Sequence, residues 1–415
     1  MKQYVVIGNG VAAAGCIEGI RNTDKDGKIT VISEEKYPVY CRPLISYYLE
    51  GKTDTEKMNY RAPDYYEKMG CEVLYGKKAA ELLTDKKKVV LDDGTELPYD
   101  SVCVATGSSP FVPPFEGLDT VENKFSFMTL DDTLSLEKKI DKNSRVLIVG
   151  AGLIGLKCAE GLKDRVKSIT VCDLADRVLS SILDSECAGI VQTHLENNGI
   201  SFMLSDTAAK FEGNKAFMKS GKTIEFDVLV LAVGVKAQVS LVKNAGGEVG
   251  RGIIVDTHMR TSLENVYSAG DCTEGDDITF GAKRVLAILP NAYMQGHCAG
   301  KNMAGEDAVF DNAIPMNSIG FFGLHIMSAG SYGAADDKTQ LYEEKEDGCI
   351  KKFYVKDGLL TGFMLIGKTE RAGIYTSLIR ERTPLESVDF EMLKKIATSA
   401  AFSSKKRGKM FGGVV

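Results

Sequence analysis

One arrangement occurs twice in this chain, and few folds accommodate it. Residues 4–15 read as a short apolar strand (Tyr4-Val5-Val6-Ile7), a glycine turn (Gly8-Asn9-Gly10) and an Ala-rich helix that begins at once. Residues 145–162, RVLIVGAGLIGLKCAEGL, repeat the pattern with a full GxGxxG at Gly150, Gly152 and Gly155, the helix opening on Leu153 and Ile154. In such a turn the first glycine permits the tight bend and the second lets the backbone approach a pyrophosphate. The third small residue, Ala13 or Gly155, lets helix and strand pack closely. Free N–H groups at the positive end of the helix then suit a phosphate anion.

The two turns also share their surroundings. Each is followed by a strand ending in an acid, Glu34 after ITVIS and Asp173 after SITVC, placed to accept from a ribose hydroxyl. Each module closes with a hairpin pattern, an aspartate, an apolar strand and a glycine: GTELPYDSVCVATG at 94–107 and GKTIEFDVLVLAVG at 221–234. Asp100 thus matches Asp227, and Gly107 matches Gly234. A repeat of this length predicts an α/β fold with two Rossmann-like dinucleotide-binding domains and a C-terminal α+β domain. The expected boundaries are 1–115 with 240–312 for a discontinuous first domain, 116–239 for the second and 313–395 for the third, followed by a solvated basic tail at 396–415 containing Lys405, Lys406, Arg407 and Lys409.

Composition narrows the partners. A formal net charge of −6 argues against nucleic acid or an anionic membrane, either of which needs a basic face. The ten cysteines form no CxxC or CxxxxC, so zinc-ribbon, iron–sulfur and dithiol ligand sets are unsupported. His194, His258 and His325 lack partners at metal-ligand spacing, and His297 reads as a helix-surface residue, so no metal is expected. No apolar run approaches 18 residues without glycines, and a strand by residue 4 leaves no room for a signal peptide, which predicts a cytoplasmic protein.

With Ala105-Thr106-Gly107-Ser108-Ser109-Pro110 and Ala269-Gly270-Asp271 added to the two turns, the chain resembles the FAD-dependent pyridine nucleotide oxidoreductases over almost its whole length. The resemblance implies that Gly8, Gly10, Ala13, Glu34, Ala105, Thr106 and Gly107 hold FAD, with Asp271 on the ribityl chain. It implies that Gly150, Gly152, Leu153, Ile154, Gly155, Asp173 and Gly234 hold NAD(H). Tyr40-Cys41-Arg42-Pro43-Leu44-Ile45-Ser46 is similar to the YxRPxLS segment of the rubredoxin-reductase, ferredoxin-reductase and nitrite-reductase-large-subunit branch, which adds Arg42, Pro43 and Pro290 to the flavin site. Phe321-Phe322-Gly323-Leu324 and Lys368-Thr369-Glu370-Arg371-Ala372-Gly373 resemble the same branch.

Three departures stand out. Many members pair a glutamate on the second fingerprint helix with a lysine after RPxLS; here those positions are Lys157 and Tyr47, so the pair is lost and Lys157 is free to face another anion. Leu289 stands where a tryptophan is frequent, and Ala237 where a proline is frequent.

Hydride transfer between nicotinamide and flavin asks the protein to align two rings and exclude water. Asp173 favours NADH, since a carboxylate accepts from a free 2′-hydroxyl and repels a 2′-phosphate; Arg177 is a counter-signal unless it pairs with Asp173 or Asp176. With no cluster ligands in the chain, the expected activity is electron transfer between NADH and a separate carrier of ferredoxin or rubredoxin type, by a monomer or homodimer. Two alternatives stay open. One is an NADH oxidase, peroxidase or coenzyme A disulfide reductase using Cys41, although the family cysteine would fall near Pro43. The other is a non-enzymatic flavoprotein that senses NADH.

Overall fold

The computed structural model describes residues 1–332, 338–346, 348–404 and 407–408. Strands β1 (Gln3–Ile7), β2 (Lys28–Ser33), β3 (Cys71–Tyr75) and β4 (Ser101–Val104) belong to one parallel sheet. Strands β5 (Lys124–Phe125), β6 (Arg145–Val149), β7 (Ser168–Asp173), β8 (Ser201–Leu204) and β9 (Val228–Leu231) form a second, ordered β8-β7-β6-β9-β5. The first sheet is completed from far along the chain by β10 (Val266–Ser268), giving β10-β4-β1-β2-β3. The apolar runs of β1, β2, β4, β6, β9 and β10 are buried almost throughout, as parallel strands covered on both faces must be, whereas the edge strands β3, β5 and β8 are only partly covered.

The repetition extends to single hydrogen bonds. Gly8 N–H donates to Ile32 O and Gly150 N–H to Cys172 O, both at 2.8 Å. Gln3 N–H donates to the Asp100 carboxylate at 2.7 Å, and Arg145 N–H to that of Asp227 at 2.8 Å. The matched aspartates therefore pin the start of each central strand. Each module carries a three-stranded antiparallel sheet, and an antiparallel ribbon of Ser108–Pro110 with Val235–Ala237 ties the modules together.

Helices α1 (Val11–Thr23), α2 (Ile45–Leu49), α3 (Leu130–Glu137), α4 (Leu153–Leu162), α5 (Ser185–Asn197) and α6 (Leu289–Ala304) surround these sheets. Helices α1 and α6 run parallel at backbone contact. A Cβ on Gly296 would lie 2.0 Å from Ala12 O, and one on Gly300 2.0 Å from Cys16 O. Gly15 and Gly19 meet Tyr293 O and His297 O in the same way, each at 2.3 Å.

The C-terminal part is an antiparallel sheet of β11 (Met316–Phe321), β12 (Leu324–Gly330), β13 (Gln340–Glu346), β14 (Cys349–Lys356) and β15 (Leu359–Ile366), ordered β11-β12-β15-β14-β13. Helix α7 (Gly373–Arg380) covers it with Tyr375 against Phe353 and Phe363, and α8 (Phe390–Lys395) follows. Buried Ala397, Ala401 and Phe402 extend this core into the stretch expected as a solvated tail from residue 396; the expectation is corrected there, because apolar side chains rather than the later lysines govern 396–402. Lys405, Lys406 and Lys409 lie outside the described residues. Lys352, almost fully buried, joins β14 to the start of α5 through Asp184 (2.6 Å) and Glu186 (2.8 Å). Among the described residues no helix is long and apolar enough to cross a membrane.

Candidate functional site

The two glycine turns have one geometry. Gly8 adopts φ +113° and a Cβ there would stand 2.1 Å from Ala105 O; Gly150 adopts φ +118° with a Cβ 2.2 Å from Ala232 O. Any side chain would push the turn off its neighbouring strand, so both positions require glycine. Gly10 and Gly152, the helix N-caps, face open space, with nothing within 4 Å of a Cβ. Behind them Ala13 is fully buried, and a Cβ on Gly155 would lie 2.0 Å from Gly150 O. Neither α1 nor α4 has a capping side chain, whereas α3 and α5 are capped by Thr129 and Asp184. Two helix starts with bare N–H groups and glycine clearance fit one pyrophosphate each.

A third uncapped helix start, that of α6 with Pro290 in its first turn, lies beside the first turn. Gly270, at φ +85°, is wedged between them: its Cβ would sit 2.9 Å from the Ala12 Cβ and 3.7 Å from the Ala292 Cβ. Gly270 N–H donates to Gln295 Oε1 at 2.9 Å, which fixes the loop from which Asp271 projects. Burial raises the pKa of the Asp271 carboxyl, against the pull of Arg42. Asn291 Oδ1 and Ser108 Oγ are buried and lack a partner among the described residues. Orphaned polar atoms in native proteins ask for a ligand or water; Asn291 stands in the first turn of α6 and Ser108 follows the Gly107 turn.

Glu34 is largely exposed and pairs with Lys78 at 3.2 Å. The next residue, Glu35, turns inward, accepting from Tyr40 Oη at 2.7 Å and pairing with Arg42. Tyr40 Oη also accepts from Leu130 N–H at 3.0 Å, tying the Arg42-Pro43 segment to α3 of the second module. Asp173 accepts from Ala151 N–H at 2.7 Å and Ala175 N–H at 2.8 Å, so its carboxylate is held under the second turn. Arg177 pairs with Asp176 at 2.8 Å. Thr106 Oγ1 donates to Gln238 O at 3.1 Å, and Gly107 and Gly234 take φ +67° and +118° in the matching closing turns.

On α4, Lys157 meets Tyr47 of α2. The Lys157 ammonium stands 4.7 Å from the Tyr47 ring centroid and 5.5 Å from that of Phe321, and donates to Gly320 O at 3.2 Å. As expected from the sequence, there is no ion pair between these two positions; a cation–π contact stands in its place, and the anion that Lys157 faces is Glu160, on its own helix. Buried Glu160 also accepts from Phe322 N–H at 2.7 Å, so the β11–β12 tip is seated on α4. Cys41 is half-buried, and burial pushes its thiol up.

Residues 2–296 match the pyridine nucleotide-disulphide oxidoreductase family. The chain belongs to it. Residues 315–383 match the rubredoxin NAD+ reductase C-terminal domain. This oxidoreductase is 32% identical over 393 residues to the NADH-dependent phenylglyoxylate dehydrogenase subunit epsilon of Aromatoleum evansii, covering 92% of each chain. It is 33% identical to an NADH oxidase of Methanocaldococcus jannaschii, covering 88% of this chain and 87% of that protein. Its fold matches the reductase of the covalent putidaredoxin reductase–putidaredoxin complex with a TM-score of 0.88 at 21% identity, over 96% of this chain and 99% of that one. The cofactors of this oxidoreductase are FAD and NAD(H).

Reading the sequence alone misses Glu35, Gln295 and Glu160. The first is overshadowed by its neighbour Glu34, and the other two act through loops distant in sequence. The four-residue spacing of Gly15–Gly19 and Gly296–Gly300 is the signal that could have paired α1 with α6.

Proposed function

We propose that this oxidoreductase carries electrons between NADH and a small iron–sulfur or rubredoxin-type carrier protein, with FAD on the Gly8 turn and the nicotinamide nucleotide on the Gly150 turn. The match of residues 315–383 to the rubredoxin NAD+ reductase C-terminal domain carries this reading. Bound FAD supplies the exchange between a two-electron donor and a one-electron acceptor.

The chain's own residues bind and orient. In this assignment the N–H groups behind Gly8 and Gly10 take the FAD pyrophosphate, with Ala13 keeping α1 against β1. Glu34 or Glu35 accepts from its ribose, and Asp271 from the ribityl chain. In the same assignment Ala105, Thr106, Gly107, Arg42, Pro43 and Pro290 complete the flavin site. The N–H groups around Gly152, Leu153 and Ile154, with Gly155 and Gly234 giving clearance, take the NADH pyrophosphate, and Asp173 its adenosine ribose.

Stopped-flow reduction of the FAD-loaded protein by NADH, followed by mixing with rubredoxin, ferredoxin, oxygen, peroxide or coenzyme A disulfide, tests the reading. Fast transfer to an iron protein is expected. The likeness to an NADH oxidase keeps a second reading specific, and faster, Cys41-dependent turnover of oxygen, peroxide or disulfide would replace the first with it.

A further inference from the structure

The two glycine turns are stiffened in different ways. In the second, Ala151 N–H donates to the Asp173 carboxylate at 2.7 Å and Ala151 O accepts from Leu179 N–H at 2.9 Å, so the turn is tied within its own module. Strand register puts Ser33 where Asp173 stands: Ile32 pairs with Ile7 as Cys172 pairs with Val149, and Ser33 and Asp173 come next. The Ser33 hydroxyl is directed elsewhere, donating to Glu35 O at 2.7 Å.

The first turn is held instead by the side chain of Asn9, the residue between its two glycines. Asn9 Nδ2 donates to Tyr37 O at 3.2 Å, and Asn9 Oδ1 accepts from Tyr66 Oη at 2.6 Å. Tyr66 Oη in turn accepts from Val39 N–H at 3.0 Å. The Tyr66 ring is fixed edge-on against Tyr65 and Tyr75, at centroid distances of 5.1 and 6.5 Å. Val39 O accepts from Tyr60 N–H at 2.9 Å and Cys41 N–H donates to Met58 O at 2.8 Å, so the segment that Asn9 grips is itself anchored. Arg42 and Pro43 follow it directly. A turn pinned at its middle residue has its N–H donors already set for a pyrophosphate, and binding costs it less freedom.

We infer that Asn9 and Tyr66 are positioning residues for FAD, locking the Gly8 turn to the 37–43 segment so that the cofactor is retained between turnovers. The Gly150 turn, with Ala151 in the place of Asn9, lacks this side-chain anchor and exchanges its nucleotide. This depends on FAD occupying the Gly8 turn.

Release of FAD from the loaded full-length protein, followed as the recovery of free-flavin fluorescence on dilution, tests the clamp. Asn9→Ala removes both Asn9 bonds and places in the first turn the residue that the second already carries. Tyr66→Phe keeps the ring and loses the hydroxyl. Each should speed release about tenfold. Because both act through one hydrogen bond, the double variant should fall well short of the product of about a hundredfold. The KM for NADH and the rate at which NADH reduces the FAD-loaded fraction should stay within about twofold of the parent, which separates positioning of FAD from general loss of structure. Thermal unfolding of each loaded variant checks the fold. Unchanged release in both single variants, or fully multiplicative effects in the double, would overturn the inference. A weaker hold on NADH with FAD release unchanged would overturn it through the assignment of the turn itself. No carrier enters the test, so its outcome is separate from the identity of the electron acceptor.

Discussion

The carbonyl oxygen of Ala12 stands 2.0 Å from where a Cβ on Gly296 would be, so α1 and α6 touch through backbone alone. Because the helices run parallel, this contact brings their uncapped starts to the same end of the first sheet, with Gly270 and Asp271 between them. Two positive helix ends then face one site.

Gly296→Ala should therefore separate the helices. The expected cost is about 3 kcal/mol of stability, from overpacking that backbone cannot relieve, together with loss of bound FAD. Thermal unfolding and the flavin absorbance of purified protein measure both. Gly189→Ala on α5, where a Cβ meets nothing within 4 Å, serves as the contrast and should stabilise by up to about 1 kcal/mol.

Asp173 should govern the choice of nucleotide. Asp173→Asn still accepts from Ala151 N–H but no longer offers a charged acceptor to the ribose. Steady-state kinetics should show kcat/KM for NADH falling about tenfold, with little change for NADPH.

Cys41 should be dispensable. Its thiol is pushed up by burial, with only a partial offset from Leu44 N–H, and a protonated thiol is a poor nucleophile. Cys41→Ser should leave NADH-driven reduction of an iron-protein carrier within about twofold of the parent, since the change is nearly isosteric. A large loss would point to thiol chemistry.

The docking of β14 on α5 should be acid-labile. Burial opposes ionisation of Asp184, but Lys352 and Cys187 N–H hold its pKa below the ordinary carboxylate value; Lys345 and then Lys352 do the same for Glu186. A depressed carboxylate contributes fully above its unfolded pKa and loses that contribution as pH falls through the folded value, so stability should drop below about pH 4. Lys352 is shifted upward despite its burial by the same carboxylates, so its share is present at neutral pH and is lost only in strong alkali. Lys352→Met should cost about 1 kcal/mol at pH 7, since the carboxylates it leaves are partly exposed to water, and should flatten the acid limb, as followed by calorimetry at several pH values.

Much of the fold was legible from residue spacing. Strand, glycine turn and helix are local: Gly8 and Gly150 bend the chain because only glycine takes φ near +115° beside a strand, and short apolar runs without polar alternation, leading into such turns, read as buried parallel strands. The matched Asp100 and Asp227 could be aligned by eye, and both pin a strand start. Lys157 and the opposing Tyr47 were legible as a departure, but the partners at the β11–β12 tip were not. Gly320 and Phe321 come from a distant segment, and no local pattern encodes which segments meet.

The amino-acid order therefore settles what depends on neighbours along the chain: two phosphate-binding turns, their acids and the pairing of modules. Packing settles the rest. Which glutamate faces inward at 34–35, which helices meet through glycine, and how far the C-terminal core extends all depend on contacts between distant residues, such as Asn22 with His297, 275 positions apart. Their energies arise only once the sheets have closed and water has left, so they leave no periodic trace in the sequence.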